Sequence, residues 1–96
     1  GVRQKALRLR QGLARLQDQF PDLVAEVRGQ GLLAGLKVTV APADIVAAAR
    51  AERLLVVGAG DNVVRLLPPL TVADHEISEG IERLSRALAH VAKSKT

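Results

Sequence analysis

Arg65 lies in a short apolar run, followed at once by two prolines, that reads Val63-Val64-Arg65-Leu66-Leu67. Side chains alternate between two faces along a strand, so this run places the guanidinium beside apolar neighbours. A guanidinium donates two parallel hydrogen bonds to a carboxylate, which suits recognition of an acidic small molecule. Pro68 and Pro69 lack the N–H of a sheet ladder, so the strand is predicted to end where Arg65 reaches a cleft. The alternative is an edge-strand arginine paired with a surface glutamate.

Few other side chains have the types and spacing that catalysis or metal binding needs. His75 and His90 are too far apart for the i, i+4 spacing of a metal-binding pair. Ser78 and Ser85 have no partners that would complete a catalytic triad. The chain has no cysteine, which excludes disulfides, thiolate catalysis and zinc–thiolate sites. We therefore predict no catalytic, cofactor-binding or metal-binding residue here, and one ligand contact, Arg65.

The glycines Gly29, Gly31 and Gly35 superficially follow a dinucleotide-binding fingerprint. That fingerprint needs its glycines between a strand and a helix whose N-terminus meets the phosphate. Here the glycines lie between two predicted strands, so phosphate binding is not expected. The glycine-containing turn at 58–61 is interpreted in the same way, because strands flank it and no Lys-Ser/Thr pair follows.

Composition and charge restrict the class of protein. The 96 residues, of which 48% are hydrophobic, predict a single domain over residues 1–96, with a frayed tail at 93–96. The net charge is +4, but the excess of positive charge lies at the two ends, the middle of the chain is mildly acidic, and no aromatics are interleaved with the basic residues. Nucleic acid is therefore not an expected partner. No apolar run approaches the roughly 20 residues of a membrane span, so we expect a cytoplasmic protein without a membrane partner.

Three amphipathic helices are predicted from apolar residues spaced three and four apart. The first ends before Pro21, and Gly12 inside it costs about 1 kcal/mol relative to alanine. The second begins with Pro42 and ends at Arg53. The expected buried stripes are Val2, Ala6, Leu9, Leu13, Leu16 and Phe20 in the first helix and Ile77, Ile81, Leu84, Leu88 and Val91 in the third.

Two hairpins are predicted between the helices. Their strands are 24–28 and 32–40 around a turn at 29–31, then 54–57 and 63–67 around a turn at 58–61. The sequence therefore predicts an α+β fold in two layers, a mainly antiparallel sheet of about four strands with helices on one side, in the order α-β-β-α-β-β-α. The uncovered face or edge of such a sheet is available for docking of another domain.

Two segments resemble one known family. The first is Gly58-Ala59-Gly60-Asp61-Asn62-Val63-Val64-Arg65-Leu66-Leu67-Pro68-Pro69-Leu70, and the second, upstream, is Val27-Arg28-Gly29-Gln30-Gly31-Leu32-Leu33-Ala34-Gly35-Leu36. Both resemble segments of the class III aminotransferases that use pyridoxal phosphate, in the same order and spacing. Within that family the chain looks most like the acetylornithine aminotransferases. The resemblance covers about residues 3–92, nearly the whole chain.

The resemblance implies a role for Arg65 and a larger parent enzyme. It implies that Arg65 binds a substrate carboxylate and that this chain is the C-terminal small domain of a homodimeric enzyme of arginine or lysine biosynthesis. That enzyme would transfer an amino group to 2-oxoglutarate, with pyridoxal phosphate on a large domain that precedes this one. The motifs that hold the cofactor are not present here, so this chain alone is expected to bind no cofactor and to be inactive. The alternative is a free-standing α+β ligand-binding or regulatory module.

Overall fold

The computed structural model describes residues 2–29, 34–66 and 74–94. The elements are α1 (Val2–Gln19), β1 (Val24–Arg28), β2 (Gly35–Val38), α2 (Pro42–Ala51), β3 (Val56–Ala59), β4 (Val63–Leu66) and α3 (Asp74–Ser94). The predicted order of helices and strands and the predicted α+β class are confirmed. Within the described residues, no helix combines the length and apolar character that a bilayer span requires.

The four strands form one antiparallel sheet in the order β1-β2-β4-β3. The strand that carries Arg65, β4, therefore lies inside the sheet, with β2 on one side and β3 on the other. The alternative interpretation of Arg65 as an edge-strand residue is wrong. Hairpin turns alone could not decide this point, because the pairing of β2 with β4 joins two separate hairpins.

The helices cover one face of the sheet and form the core with it. Along α1, Leu9, Leu13 and Leu16 are fully buried, and all five apolar residues predicted for the stripe of α3 are buried. From the sheet, Leu36 and Val64 lie in the same cluster. Burying one such side chain contributes roughly 1.5–3 kcal/mol, so the covered face supplies most of the apolar stabilisation.

Gly12 allows α1 and α3 to approach each other closely. A Cβ atom built on Gly12 would lie 2.6 Å from Cγ1 of Ile81, which is nearer than real Cβ atoms come to their neighbours. The glycine that weakens α1 as an isolated helix is therefore needed where α1 packs against α3.

β3 begins two residues later than predicted, at Val56 rather than Leu54. The cause is the end of α2, where Arg53 has a left-handed backbone with φ of 60°. Its N–H donates to the carbonyl of Arg50, and the N–H of Leu54 donates to the carbonyl of Ala49, both at 2.9 Å. This is the Schellman pattern of a helix C-terminus, so the Leu54 N–H caps α2.

The turn between β3 and β4 is also shorter than predicted. Gly58 and Ala59 belong to β3, so the connection is Gly60-Asp61-Asn62. Asp61 and Asn62 have φ of 66° and 60°, and their residue types tolerate this left-handed conformation.

The predicted start of β2 and the predicted C-terminal tail lie partly outside the described residues. β2 is observed over Gly35–Val38, and the predicted start of that strand at residues 32–33 lies outside the described residues. α3 continues through Lys93 and Ser94, where Ser94 Oγ donates to the His90 carbonyl at 3.0 Å. Residues 95–96 of the predicted tail, like Leu67, Pro68 and Pro69, lie outside the description.

Candidate anion site on the open face of the sheet

The face of the sheet opposite the helices carries the charged residues of the strands. One row across it is set by the strand register, in which Arg28 pairs with Gly35, Gly35 with Arg65, and Arg65 with Val57. Paired residues on neighbouring strands point to the same face, so Arg28 and Arg65 lie on either side of Gly35. Lys37 is two residues after Gly35 on β2 and shares this face.

The Arg65 side chain packs against the backbone of Gly35. A Cβ built on Gly35 would lie 3.0 Å from Cγ of Arg65 and 2.5 Å from the carbonyl oxygen of Val64. The absence of a side chain at Gly35 therefore lets the aliphatic part of Arg65 rest against β2. A glycine inside a strand commonly marks such a close approach.

Arg65 lines a hollow of about 230 Å³, which we call the Arg65 hollow. Its lining includes Arg28, Ala59, Gly60, Asp61, Val63 and Arg65. Across residues 2–29, 34–66 and 74–94, the Arg65 guanidinium has no hydrogen bond and no carboxylate within ion-pair distance. Arg65 is half-buried, and its guanidinium has no carboxylate partner among the described residues, so it is suited to binding an external anion. Its role as a substrate ligand stays a prediction.

Two further cations of this face in the described part of the chain, Arg28 and Lys37, are paired. Arg28 donates through Nε to Glu26 and through Nη1 to Oδ2 of Asp61 at 2.7 Å. Nζ of Lys37 lies 3.5 Å from the same Asp61 oxygen. The pKa of Arg28 is raised, chiefly by the hydrogen bond to Glu26 and also by Asp61, although partial desolvation opposes the rise.

The remaining polar residues with possible chemistry are scattered. His75 and His90 are exposed on α3, and Oγ of Ser85 donates to Oε1 of Gln19 at 3.5 Å. Across the described ranges, histidine, aspartate and glutamate side chains nowhere gather in the group of three that would suggest a metal site. Arg65 is thus the predicted site residue that the geometry places at a hollow with charged neighbours.

The sequence interpretation gave Arg28 and Gly35 no role, although both belong to a segment that it singled out. The signal for Gly35 was available, because a lone glycine in a strand indicates a close backbone or side-chain approach. For the contact of Arg28 with Asp61 no local signal existed. Its partner Asp61 is distant in sequence and meets it only when β4 pairs with β2.

The fold and the hollow define a class of protein: a two-layer α+β domain that carries an arginine on an interior strand of its sheet. The model of the family "Aminotransferase class-III" matches residues 1–88, and the chain belongs to that family. The chain is 53% identical over 95 residues to acetylornithine aminotransferase 1 of Bradyrhizobium diazoefficiens, covering 99% of this chain and 24% of that protein. It is 52% identical over 88 residues to the acetylornithine aminotransferase of Agrobacterium fabrum, covering 92% and 22%.

A solved structure has the same fold. The crystal structure of N-acetylornithine aminotransferase from Stenotrophomonas maltophilia superimposes with a TM-score of 0.84 at 34% identity, covering 97% of this chain and 26% of that one. The chain therefore spans about a quarter of the length of the relatives that it matches.

Proposed function

We propose that this chain is the C-terminal small domain of a pyridoxal phosphate-dependent acetylornithine aminotransferase, in which Arg65 binds a substrate carboxylate. The observation that carries this proposal is the position of Arg65, held on an interior strand over Gly35, beside a hollow and without a carboxylate partner among the described residues. Relatives named acetylornithine aminotransferase at 52–53% identity support the choice of substrate class. They favour this function over a free-standing ligand-binding or regulatory module.

The role of Arg65 in this proposal is to bind and orient. Two parallel N–H donors fix a carboxylate in one plane, which restricts how the rest of the substrate points. Holding the amine of the substrate in a productive position lowers the entropic part of the activation barrier. This role is positional and electrostatic, and no proton transfer is assigned to Arg65.

In this proposal pyridoxal phosphate binds outside the described residues. Aminotransferases hold this cofactor through a lysine, an acidic partner for the ring nitrogen and a phosphate-binding cup. The ammonium of Lys37 is paired with Asp61 at 3.5 Å, whereas Lys5 and Lys93 lie on helices away from the Arg65 hollow. We therefore assign the cofactor and its chemistry to a large domain of the parent enzyme and derive no step through it.

The parent enzyme in this proposal is a cytoplasmic homodimer of arginine or lysine biosynthesis that uses 2-oxoglutarate as the amino acceptor. The length of the relatives leaves room for the large domain, since this chain corresponds to 22–24% of the two curated relatives. The open face of the sheet, which carries Arg65, is the surface that faces the large domain in this arrangement.

The proposal is tested in the full-length enzyme by replacing Arg65. For Arg65→Ala we expect the KM for the carboxylate substrate to rise about 10- to 100-fold, the effect of losing hydrogen bonds between charged groups. Arg65→Lys should recover only part of that loss, because the planar fork is absent. Absorbance of the bound cofactor should not change in either variant.

Arg50→Ala is the matched control, because Arg50 is an exposed arginine on α2, away from the hollow. Its KM should equal that of the unmodified enzyme. An unchanged KM in Arg65→Ala would remove Arg65 from the substrate site and overturn the proposal.

A further inference from the structure

The Arg65 hollow contains a carboxylate that would compete with an acidic substrate. Asp61 and Arg65 line the same hollow and carry opposite charges. Oδ2 of Asp61 nevertheless bonds Nη1 of Arg28 at 2.7 Å and lies 3.5 Å from Nζ of Lys37. We propose that Arg28, assisted by Lys37, is a positioning residue that holds Asp61 away from Arg65 and so keeps that guanidinium available to the substrate carboxylate.

This inference rests on the function proposed for Arg65 and adds a determinant of substrate affinity at the same site. The charges around the hollow support it. The cations Arg28, Lys37 and Arg65 share the open face with the carboxylates of Glu26 and Asp61. Arg28 and Lys37 engage both carboxylates, which leaves one positive charge, on Arg65, without an internal partner among the described residues.

The backbone beside Asp61 is fixed at the edge of the Arg65 hollow, so its side chain must be directed away from Arg65. The turn that carries it is tied to β2, where the Val38 N–H donates to the Asn62 carbonyl at 2.9 Å. Nδ2 of Asn62 also donates to the carbonyls of Val38 and Val40, both at 3.3 Å. The carboxylate of Asp61 is exposed, so its direction depends on its ion pairs rather than on packing.

The Arg28 side chain is suited to this task because its fork binds two carboxylates at once. Nε contacts Glu26 on its own strand, and Nη1 reaches Asp61 beyond β2. Glu26 therefore fixes the plane of the guanidinium from one side while the other side holds Asp61. Without Arg28, Asp61 would retain the weaker and longer contact to Lys37 alone.

The test uses steady-state kinetics of the full-length enzyme with three variants. In Arg28→Gln, the KM for the carboxylate substrate should rise about two- to fivefold with little change in kcat, as expected when an exposed ion pair competes for Arg65. Asp61→Asn alone should lower the KM, because the hollow loses its negative charge. The double variant Arg28→Gln/Asp61→Asn should lose the rise seen in Arg28→Gln.

The rescue in the double variant separates positioning from a structural role, because a structural role for Arg28 would leave the KM raised whatever residue stands at 61. Arg86→Gln is the matched control. Arg86 likewise donates through Nε to a glutamate, Glu52, at 2.6 Å, and its pKa is likewise raised chiefly by that bond. Since this pair joins α3 to the residue that caps the C-terminus of α2, away from the hollow, Arg86→Gln should leave the KM unchanged.

The inference fails if Arg28→Gln leaves the KM unchanged, if Asp61→Asn raises it, or if the double variant keeps the high KM of Arg28→Gln. Arg65→Ala distinguishes this failure from failure of the proposed function. A raised KM in Arg65→Ala with an unchanged KM in Arg28→Gln would reject the role of Arg28 alone. An unchanged KM in both would reject the function of Arg65 as well.

Discussion

The two faces of the same four-stranded sheet differ in what their side chains do. On the covered face, Leu36 and Val64 are buried in the core, and among the described residues no polar or charged residue is buried. On the open face, Arg28 and Arg65 occupy one row on either side of Gly35. The difference teaches that the covered face determines stability, whereas the open face can specialise for binding because little of the folding free energy depends on it.

The covered face should show the largest effect on stability. Leu36 is fully buried at the centre of the sheet. Leu36→Ala should lower the free energy of unfolding by about 2–5 kcal/mol, through lost transfer energy and the cavity left behind. Urea denaturation of the purified chain, followed by circular dichroism, measures the change. A loss below 1 kcal/mol would contradict the division between the two faces.

Gly35 is expected to be an exception to the division between the two faces. It lies on the open face, and substituting it should still lower stability because its surroundings are tightly packed. A new Cβ would meet the Val64 carbonyl at 2.5 Å, a backbone atom that cannot turn aside. Gly35→Ala should therefore destabilise the chain by about 1–3 kcal/mol, as overpacking does. In the full-length enzyme it should also raise the KM, because the new methyl group displaces the Arg65 side chain that packs against Gly35. A stable variant with normal KM would show that the strands adjust freely.

Gly12 tests close packing between helices in the way that Gly35 tests it between strands, with a smaller expected loss of stability. Helix propensity alone predicts that Gly12→Ala stabilises the chain by about 1 kcal/mol. The contact with Ile81 reverses the sign, so we expect a net loss of about 1 kcal/mol, smaller than at Gly35 because a side chain yields more easily than backbone. Gly12→Ala combined with Ile81→Val should recover part of that loss. A melting temperature above that of the unmodified chain would contradict the close approach of α1 and α3.

Arg65 should have the smallest effect on stability of all these positions. Its guanidinium has no internal partner among the described residues, so Arg65→Ala should change the free energy of unfolding by no more than about 0.5 kcal/mol. The same substitution should strongly impair substrate binding in the full-length enzyme. A large loss of stability would mean that Arg65 contributes to folding as the residues of the covered face do.

The sequence predicted the elements more reliably than their junctions. The stripe of α3 and the period of two in β4 were visible because each depends on residues close together in the chain. The start of β3 was wrong because Arg53 adopts a left-handed conformation that is usually a glycine signal, and the Leu54 N–H then caps α2. No propensity rule identifies an arginine in that role.

The sequence singled out Arg65, which lies at a hollow, but it did not identify the residues around that hollow, and the binding role of Arg65 stays a prediction. Alternation along β4 predicted that Arg65 shares a face with Val63 and lies opposite Val64, but not that this face is the one without helices. The partners of Arg28 did not, because Asp61 reaches it only through the pairing of β2 with β4. The place of β4 inside the sheet is likewise a property of the assembled sheet, as no signal within either hairpin shows which strands pair between hairpins.

The interior position of β4 has a consequence for how the molecule fluctuates. Edge strands such as β1 and β3 separate from a sheet in local openings, whereas a strand bonded on both sides is released only in larger ones. Backbone amides of β4 should consequently exchange their hydrogens with solvent more slowly than those of β1. The Cα position of Arg65 should then persist while the edge strands open, so in the proposed function the affinity for an acidic ligand does not depend on the most frequent motions of the domain.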